Sequence, residues 1–115
     1  MPRGVKKRPS DGYTAEECML LLMGLDPTAT LRFSEHTGMW YVSLEKVGHC
    51  TSNGIGGVTE HHKEPREAVL IAFDNLVRVP EGYLIGVDYG LGERRYVRWN
   101  GAAFVDATPT WKERA

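Results

Sequence analysis

Apolar and polar residues recur along this chain with two different periods, and the switches between them mark its elements. Cys18, Leu21, Leu22 and Leu25 follow i, i+3, i+4, i+7 spacing, one face of a helix. Thr14-Ala15-Glu16-Glu17 before them has capping-box spacing: the Thr14 hydroxyl can accept the Glu17 N–H while the Glu17 carboxylate reaches back. Tyr13 stands where a staple onto Cys18 belongs. The pattern predicts a first helix from Ala15 to Met23, stopped at Gly24, with Asp26-Pro27 preventing its continuation.

The period then becomes two. Leu31 and Phe33 alternate with Arg32 and Ser34 in a strand expected from Thr30 to Glu35, and His36-Thr37-Gly38 turns the chain. Met39 to Val47 returns, with Trp40, Val42 and Leu44 on one face and Tyr41, Ser43 and Glu45 on the other. Residues 48–62 are irregular. Asn53-Gly54 and Gly56-Gly57 are turn signals there, with room for a short third strand. Helical spacing resumes after Pro65: Val69, Ala72, Phe73 and Leu76 form a stripe that Leu70, Ile71 and Val77 widen. Val79-Pro80-Glu81-Gly82 ends that second helix.

The last third reads as β. Tyr83, Ile85, Val87 and Tyr89 share a strand face, and Gly90-Leu91-Gly92 turns. Arg94–Trp99 and Ala102–Ala107 flank Asn100-Gly101, the signature of a two-residue hairpin. A type I′ turn there sets Trp99 opposite Ala102 and Val97 opposite Phe104. Val97, Trp99 and Phe104 then anchor the hairpin to the core, and Arg94, Tyr96 and Arg98 point the other way. The fold class is α+β: a small antiparallel sheet of two hairpins packed against two helices, in the order α-β-β-(β)-α-β-β-β. Residues 1–12 read as a basic flexible arm, 13–107 as one domain and 108–115 as a tail with Trp111 in docking reach.

Composition narrows this picture. The chain has 115 residues, 42% apolar and 25% charged, enough for one domain with a core. No apolar run reaches membrane-span length, and the polar, basic start is not a secretory signal, so the expected place is the cytoplasm (the host cytoplasm if phage-encoded). Two cysteines, Cys18 and Cys50, make no disulfide framework and read as free thiols. The net charge of −1 hides an asymmetry. Arg3, Lys6, Lys7 and Arg8 crowd the first nine residues, leaving ten basic against fifteen acidic residues in the rest.

Candidate chemistry is sparse. His49-Cys50 and His61-His62 are adjacent pairs, whereas zinc sites hold ligand pairs with intervening residues. Neighbours on a strand face opposite ways, so no metal or cofactor is expected there. Gly86-Val87-Asp88-Tyr89-Gly90 resembles the first strand of RNase H-like nucleases, but two-metal chemistry needs carboxylates on further strands, and Asp88 reads as a strand-end turn residue. No catalytic triad, phosphate loop or dinucleotide fingerprint is present, and no catalytic residue is assigned. The stronger candidate is Arg94, Tyr96 and Arg98. Cations flanking an aromatic suit a protein-binding patch, or phosphates with a stacked base.

Thr37-Gly38, Trp40-Tyr41-Val42-Ser43, Gly48-His49-Cys50-Thr51 and Glu67-Ala68 carry a partial resemblance to HicB-like antitoxins over Leu31–Val79. The resemblance implies a β-β-β-α core that binds a protein partner. The element order is also similar to that of double-stranded-RNA-binding domains, whose second helix opens with lysines; here the positions read Lys63-Glu64-Pro65-Arg66-Glu67. The general style resembles that of small bacteriophage accessory proteins. The expected function is a non-enzymatic binding protein acting on another protein through Arg94, Tyr96 and Arg98. The alternatives are a nucleic-acid-binding accessory protein using Arg3, Lys6, Lys7 and Arg8, and a metal-dependent enzyme using the histidine loop. A homodimer through sheet edges is a further expectation.

Overall fold

A computed structural model describes residues 8–47, 61–78, 84–90 and 93–107. The expected turns at Asn53-Gly54 and Gly56-Gly57, Tyr83, the Leu91-Gly92 turn, Trp111 and the C-terminal tail lie outside the described residues. The elements run α1 (Ala15–Leu25), β1 (Thr30–Ser34), β2 (Met39–Ser43), α2 (Pro65–Val77), β3 (Ile85–Gly90), β4 (Glu93–Trp99) and β5 (Phe104–Asp106). This is a small α+β fold with two helices and two antiparallel sheets, β1-β2 and β3-β4-β5.

The capping box sets the start of α1: Glu17 N–H donates to Thr14 Oγ1 at 3.1 Å and Thr14 N–H to Glu17 Oε1 at 2.8 Å. The helix runs past the expected stop at Gly24, which keeps a helical backbone. It ends at Asp26, whose extended φ and ψ of −137° and 105° suit the residue before a proline. α2 begins at Pro65, where the missing N–H is no loss. Its stripe of Val69, Ala72, Phe73 and Leu76 is buried as the spacing requires.

β1 and β2 pair with Leu31 opposite Val42 and Phe33 opposite Trp40. The expected second strand to Val47 is corrected: regular pairing ends at Ser43. Beyond it, side chains replace strand bonds. Glu45 N–H donates to Thr28 Oγ1, and the N–H groups of Lys46 and Val47 donate to Asp26 Oδ2 at 2.8 and 3.1 Å. Val47 then bridges to Val87, and Asp88 N–H donates to the Lys46 carbonyl, joining the two sheets. The expected short third strand beside Asn53-Gly54 lies outside the described residues; His62, which follows that segment, pairs with Trp40.

The two helices pack together, and α2 also contacts β2 and β4. Cys18, Leu22, Val42, Leu44, Ala72, Phe73, Ile85 and Val87 form the buried centre. Phe73 gathers an aromatic cluster, with ring centroids 5.6 Å from Tyr13, 5.1 Å from Trp99 and 6.2 Å from Phe104. Tyr13, expected to staple onto Cys18 in its own helix, sends its ring to Phe73 and Trp99. No helix among the described residues is long and apolar enough to cross a membrane.

Candidate functional site

β4 alternates between the core and the outer surface. Val97 is buried and Trp99 half-buried against Phe73, so Arg94, Tyr96 and Arg98, one residue out of phase, lie on the opposite face. Arg94 and Arg98 are exposed and Tyr96 is half-buried. Cross-strand register completes this face: Asp88 lies opposite Arg94, Gly86 opposite Tyr96, and Val105 opposite Arg98. Gly86 has no side chain yet is buried, and Ala107 N–H donates to the Tyr96 carbonyl at 2.8 Å, fixing the middle of the row. The ion pairs among the described residues use neither Arg94 nor Arg98.

The loop that sets this register differs from the expected two-residue type I′ turn. Trp99 lies opposite Phe104 and Val97 opposite Asp106, so the connection is Asn100–Ala103. Asn100 Oδ1 accepts the N–H groups of Ala102 and Ala103 at 2.8 and 2.9 Å, and Asn100 N–H donates to the Ala103 carbonyl. That side-chain turn, with Gly101 at φ 105°, accommodates the longer loop. The register moves by an even number of residues, so every side chain keeps its face. Val105, 39% exposed beside Arg98, is the member of the outer face that the sequence reading missed. Strand alternation places it there in either register, opposite Tyr96 in a two-residue turn and opposite Arg98 in the longer loop. Arg95, on the other face, forms an ion pair with Asp106.

The basic segment divides. Arg3, Lys6 and Lys7 lie outside the described residues. Arg8 is fastened to α2: its Nε donates to Asp74 Oδ2 at 2.8 Å and its Nη1 to Glu67 Oε1 at 2.6 Å. The Asp74 hydrogen bond pushes the Arg8 pKa above its ordinary value, with Glu67 adding to it and burial opposing it. Asp74, buried in the apolar stripe of α2, also accepts Ser10 N–H at 2.8 Å and Ser10 Oγ at 3.2 Å. Residues 8–12, read from the sequence as the end of a flexible arm, are therefore docked by buried polar bonds.

The histidine loop is only half within view, since His49 and Cys50 lie outside the described residues. The His61 ring lies 4.7 Å from that of Tyr41. His62 Nδ1 accepts Glu64 N–H at 3.0 Å, at the start of α2. No cluster of three His, Cys, Asp or Glu side chains suited to a metal occurs among the described residues. Asp88 is a strand residue at a bulge, exposed and opposite Arg94.

Two apolar grooves flank α1. One, of about 270 Å³, is lined by Ala15, Met19, Leu31, Pro65 and Val69 beside the Glu16–Arg66 ion pair. The other, of about 230 Å³, lies between Leu20, Leu21 and Leu25 of α1 and Val97 and Phe104 of the last sheet. Comparison with known proteins finds no matching family model, no matching curated protein and no matching solved structure.

Proposed function

We propose that this chain is a non-enzymatic binding protein that docks another protein on the outer face of β3-β4-β5. The observation that carries this reading is the row Arg94, Tyr96, Arg98, with Val105 beside it on a face that neither helix covers. Arginine and tyrosine are the residues most enriched at binding hot spots, and an adjoining apolar side chain supplies area that water leaves readily. Two exposed guanidinium groups call for carboxylates, so the partner carries an acidic patch around an apolar centre. The small size and the HicB-like pattern over Leu31–Val79 favour a small modulator of the antitoxin or bacteriophage accessory kind.

The test is affinity capture with wild-type bait and with bait carrying Arg94→Glu and Arg98→Glu together. A partner that saturates the wild-type chain and binds the double variant at least about tenfold more weakly, near 1.4 kcal/mol, supports the reading. Equal capture by both baits overturns it. Recovery of nucleic acid in place of protein, with affinity falling steeply with salt, would favour a phosphate-binding role for the same row.

A further inference from the structure

Among the described residues one edge of β1 is unpaired, and it carries both halves of a self-complementary contact. Trp40 N–H donates to the His62 carbonyl at 2.7 Å and the Trp40 carbonyl accepts His62 N–H at 2.8 Å. Both main-chain groups of Trp40 thus point away from β1, and Phe33–Trp40 is a non-hydrogen-bonded pair. By the alternation of a strand, the main-chain groups of Leu31 and Phe33 then point outward, off the sheet edge. Among the described residues they meet no hydrogen-bond partner. The two side chains share the face that looks toward the helices. Leu31 lines the groove of about 270 Å³ with Met19, Pro65 and Val69. Phe33 is 51% exposed, its ring T-shaped against Trp40 at 5.3 Å.

We propose that two copies of this chain pair antiparallel through β1, about a two-fold axis at Arg32, with Leu31 of each opposite Phe33 of the other. In this register the outward groups of Leu31 and Phe33 are an inter-strand hydrogen-bonded pair, and both exchanges are made twice by symmetry. Facing side chains in such a pair have Cβ atoms about 5 Å apart. Each Phe33 ring therefore comes to rest beside the second copy's Leu31, over the mouth of its groove. Sliding the register to set Phe33 opposite Phe33 stacks the two rings on the axis and leaves both grooves open. The exposed ring and the empty groove belong to one chain and meet only when Leu31 faces Phe33.

The size of the contact fixes its strength. Two five-residue strands and two half-exposed rings bury less than the roughly 1,200 Å² of a standard stable interface. The dimer is therefore concentration-dependent. Arg32 meets Arg32 of the second copy across the axis on the outer face, and like charges directly opposite oppose pairing. Salt screens that repulsion, so association strengthens as salt rises.

Sedimentation equilibrium of the full chain from about 10 µM to about 1 mM tests the pairing. The expected result is a mass that climbs toward twice that of the chain, and climbs earlier at about 0.5 M salt. Phe33→Glu should weaken association at least about tenfold. Arg32→Cys should give a disulfide-linked dimer on mild oxidation with copper-phenanthroline, beyond any formed by the wild-type chain, whose Cys50 is the control; Thr30→Cys, opposite Ser34 in this register, should not. A monomer at every concentration overturns the proposal. So does an association that Phe33→Glu leaves intact, or an Arg32→Cys chain that does not cross-link; the cross-link decides if the glutamate variant fails to fold.

Discussion

Asp26 stands in for a strand partner of Lys46: its Oδ2 accepts the Lys46 N–H at 2.8 Å across 20 residues of chain. The same oxygen takes the Val47 N–H, and Oδ1 takes the N–H and hydroxyl of Thr28 at 2.8 and 2.6 Å. One fully buried carboxylate therefore shapes the turn into β1 and holds the chain that leaves β2, while the backbone N–H of the same residue caps α1 on the Leu22 carbonyl. Its four donors make it an acceptor that no neutral side chain replaces.

Asp26→Asn turns one acceptor oxygen into an amide that faces donors, and Asp26→Ala strands the donors altogether. Losses of about 2 and about 3 kcal/mol are expected, since each buried donor left unpaired costs about 1–3 kcal/mol. Urea unfolding of both variants measures this. A loss below about 1 kcal/mol for the alanine variant, the net worth of a single hydrogen bond, would show that the hub is dispensable.

Asp74 does for the N-terminal segment what Asp26 does for β2. It is buried in α2 and holds Arg8 and Ser10 through three bonds. Asp74→Ala removes the Oδ1 that accepts the Ser10 N–H, so that amide should exchange with solvent at least about tenfold faster, and stability should fall by about 3 kcal/mol. Arg8→Ala should cost about 1 kcal/mol or less, because the arginine side chain is a third exposed and its ion pairs are screened. Hydrogen exchange read at Ser10 in both variants separates the buried anchor from the surface pair.

What was legible in the sequence follows from what is periodic. Both helices, the β1-β2 hairpin, and the inward set of Val97, Trp99 and Phe104 could be read because side-chain direction follows from spacing alone. The capping box was legible because its two partners lie three residues apart. The buried aspartates were not, because their partners are 20 and 64 residues away in sequence. Each still left a trace: Asp26 precedes Pro27 and Thr28, a turn-forming run, and Asp74 is the one charged residue in the apolar run from Ala68 to Val77. The length of the hairpin loop was not legible, because Asn-Gly fits two turn lengths and the choice rests on the Asn100 side chain capping Ala102 and Ala103. The row Arg94, Tyr96, Arg98 keeps its face with either loop because the shift in register is even.

That loop makes a separable prediction. Asn100→Ala removes both side-chain bonds and should cost about 1 kcal/mol. Gly101→Ala meets no neighbouring atom, so its cost comes from the φ of 105° alone, about 1 kcal/mol or more. A type I′ Asn-Gly turn would need Asn100 in the left-handed region as well, whereas the capped loop uses the Asn side chain. Asn100→Gly discriminates: it should destabilise nearly as much as alanine here, but would be tolerated in a two-residue turn. Thermal unfolding midpoints of the three variants measure the difference.

The thiol of Cys18 ties core burial to a pH dependence. It is a free cysteine with no exposed surface, and burial pushes its pKa up to about 11, with the carboxylates of Asp74 and Glu17 adding to the shift. The unfolded thiol titrates near 8.5–9. Below that pH both states are protonated and the folded state gains its full advantage. Between about 9 and about 11 the unfolded chain releases the proton while the native chain keeps it, so stability falls as pH rises. Two units correspond to at most about 2.7 kcal/mol, shed over that window. Cys18→Ala removes the titrating group, so its stability should fall less from pH 9 to pH 11 than the wild-type chain's, whatever constant loss the smaller side chain causes. Alkylation mapped by peptide mass gives the kinetic counterpart: Cys18 should react with iodoacetamide only as fast as the core opens, and reaction at the rate of an exposed thiol would contradict its place between α1 and α2.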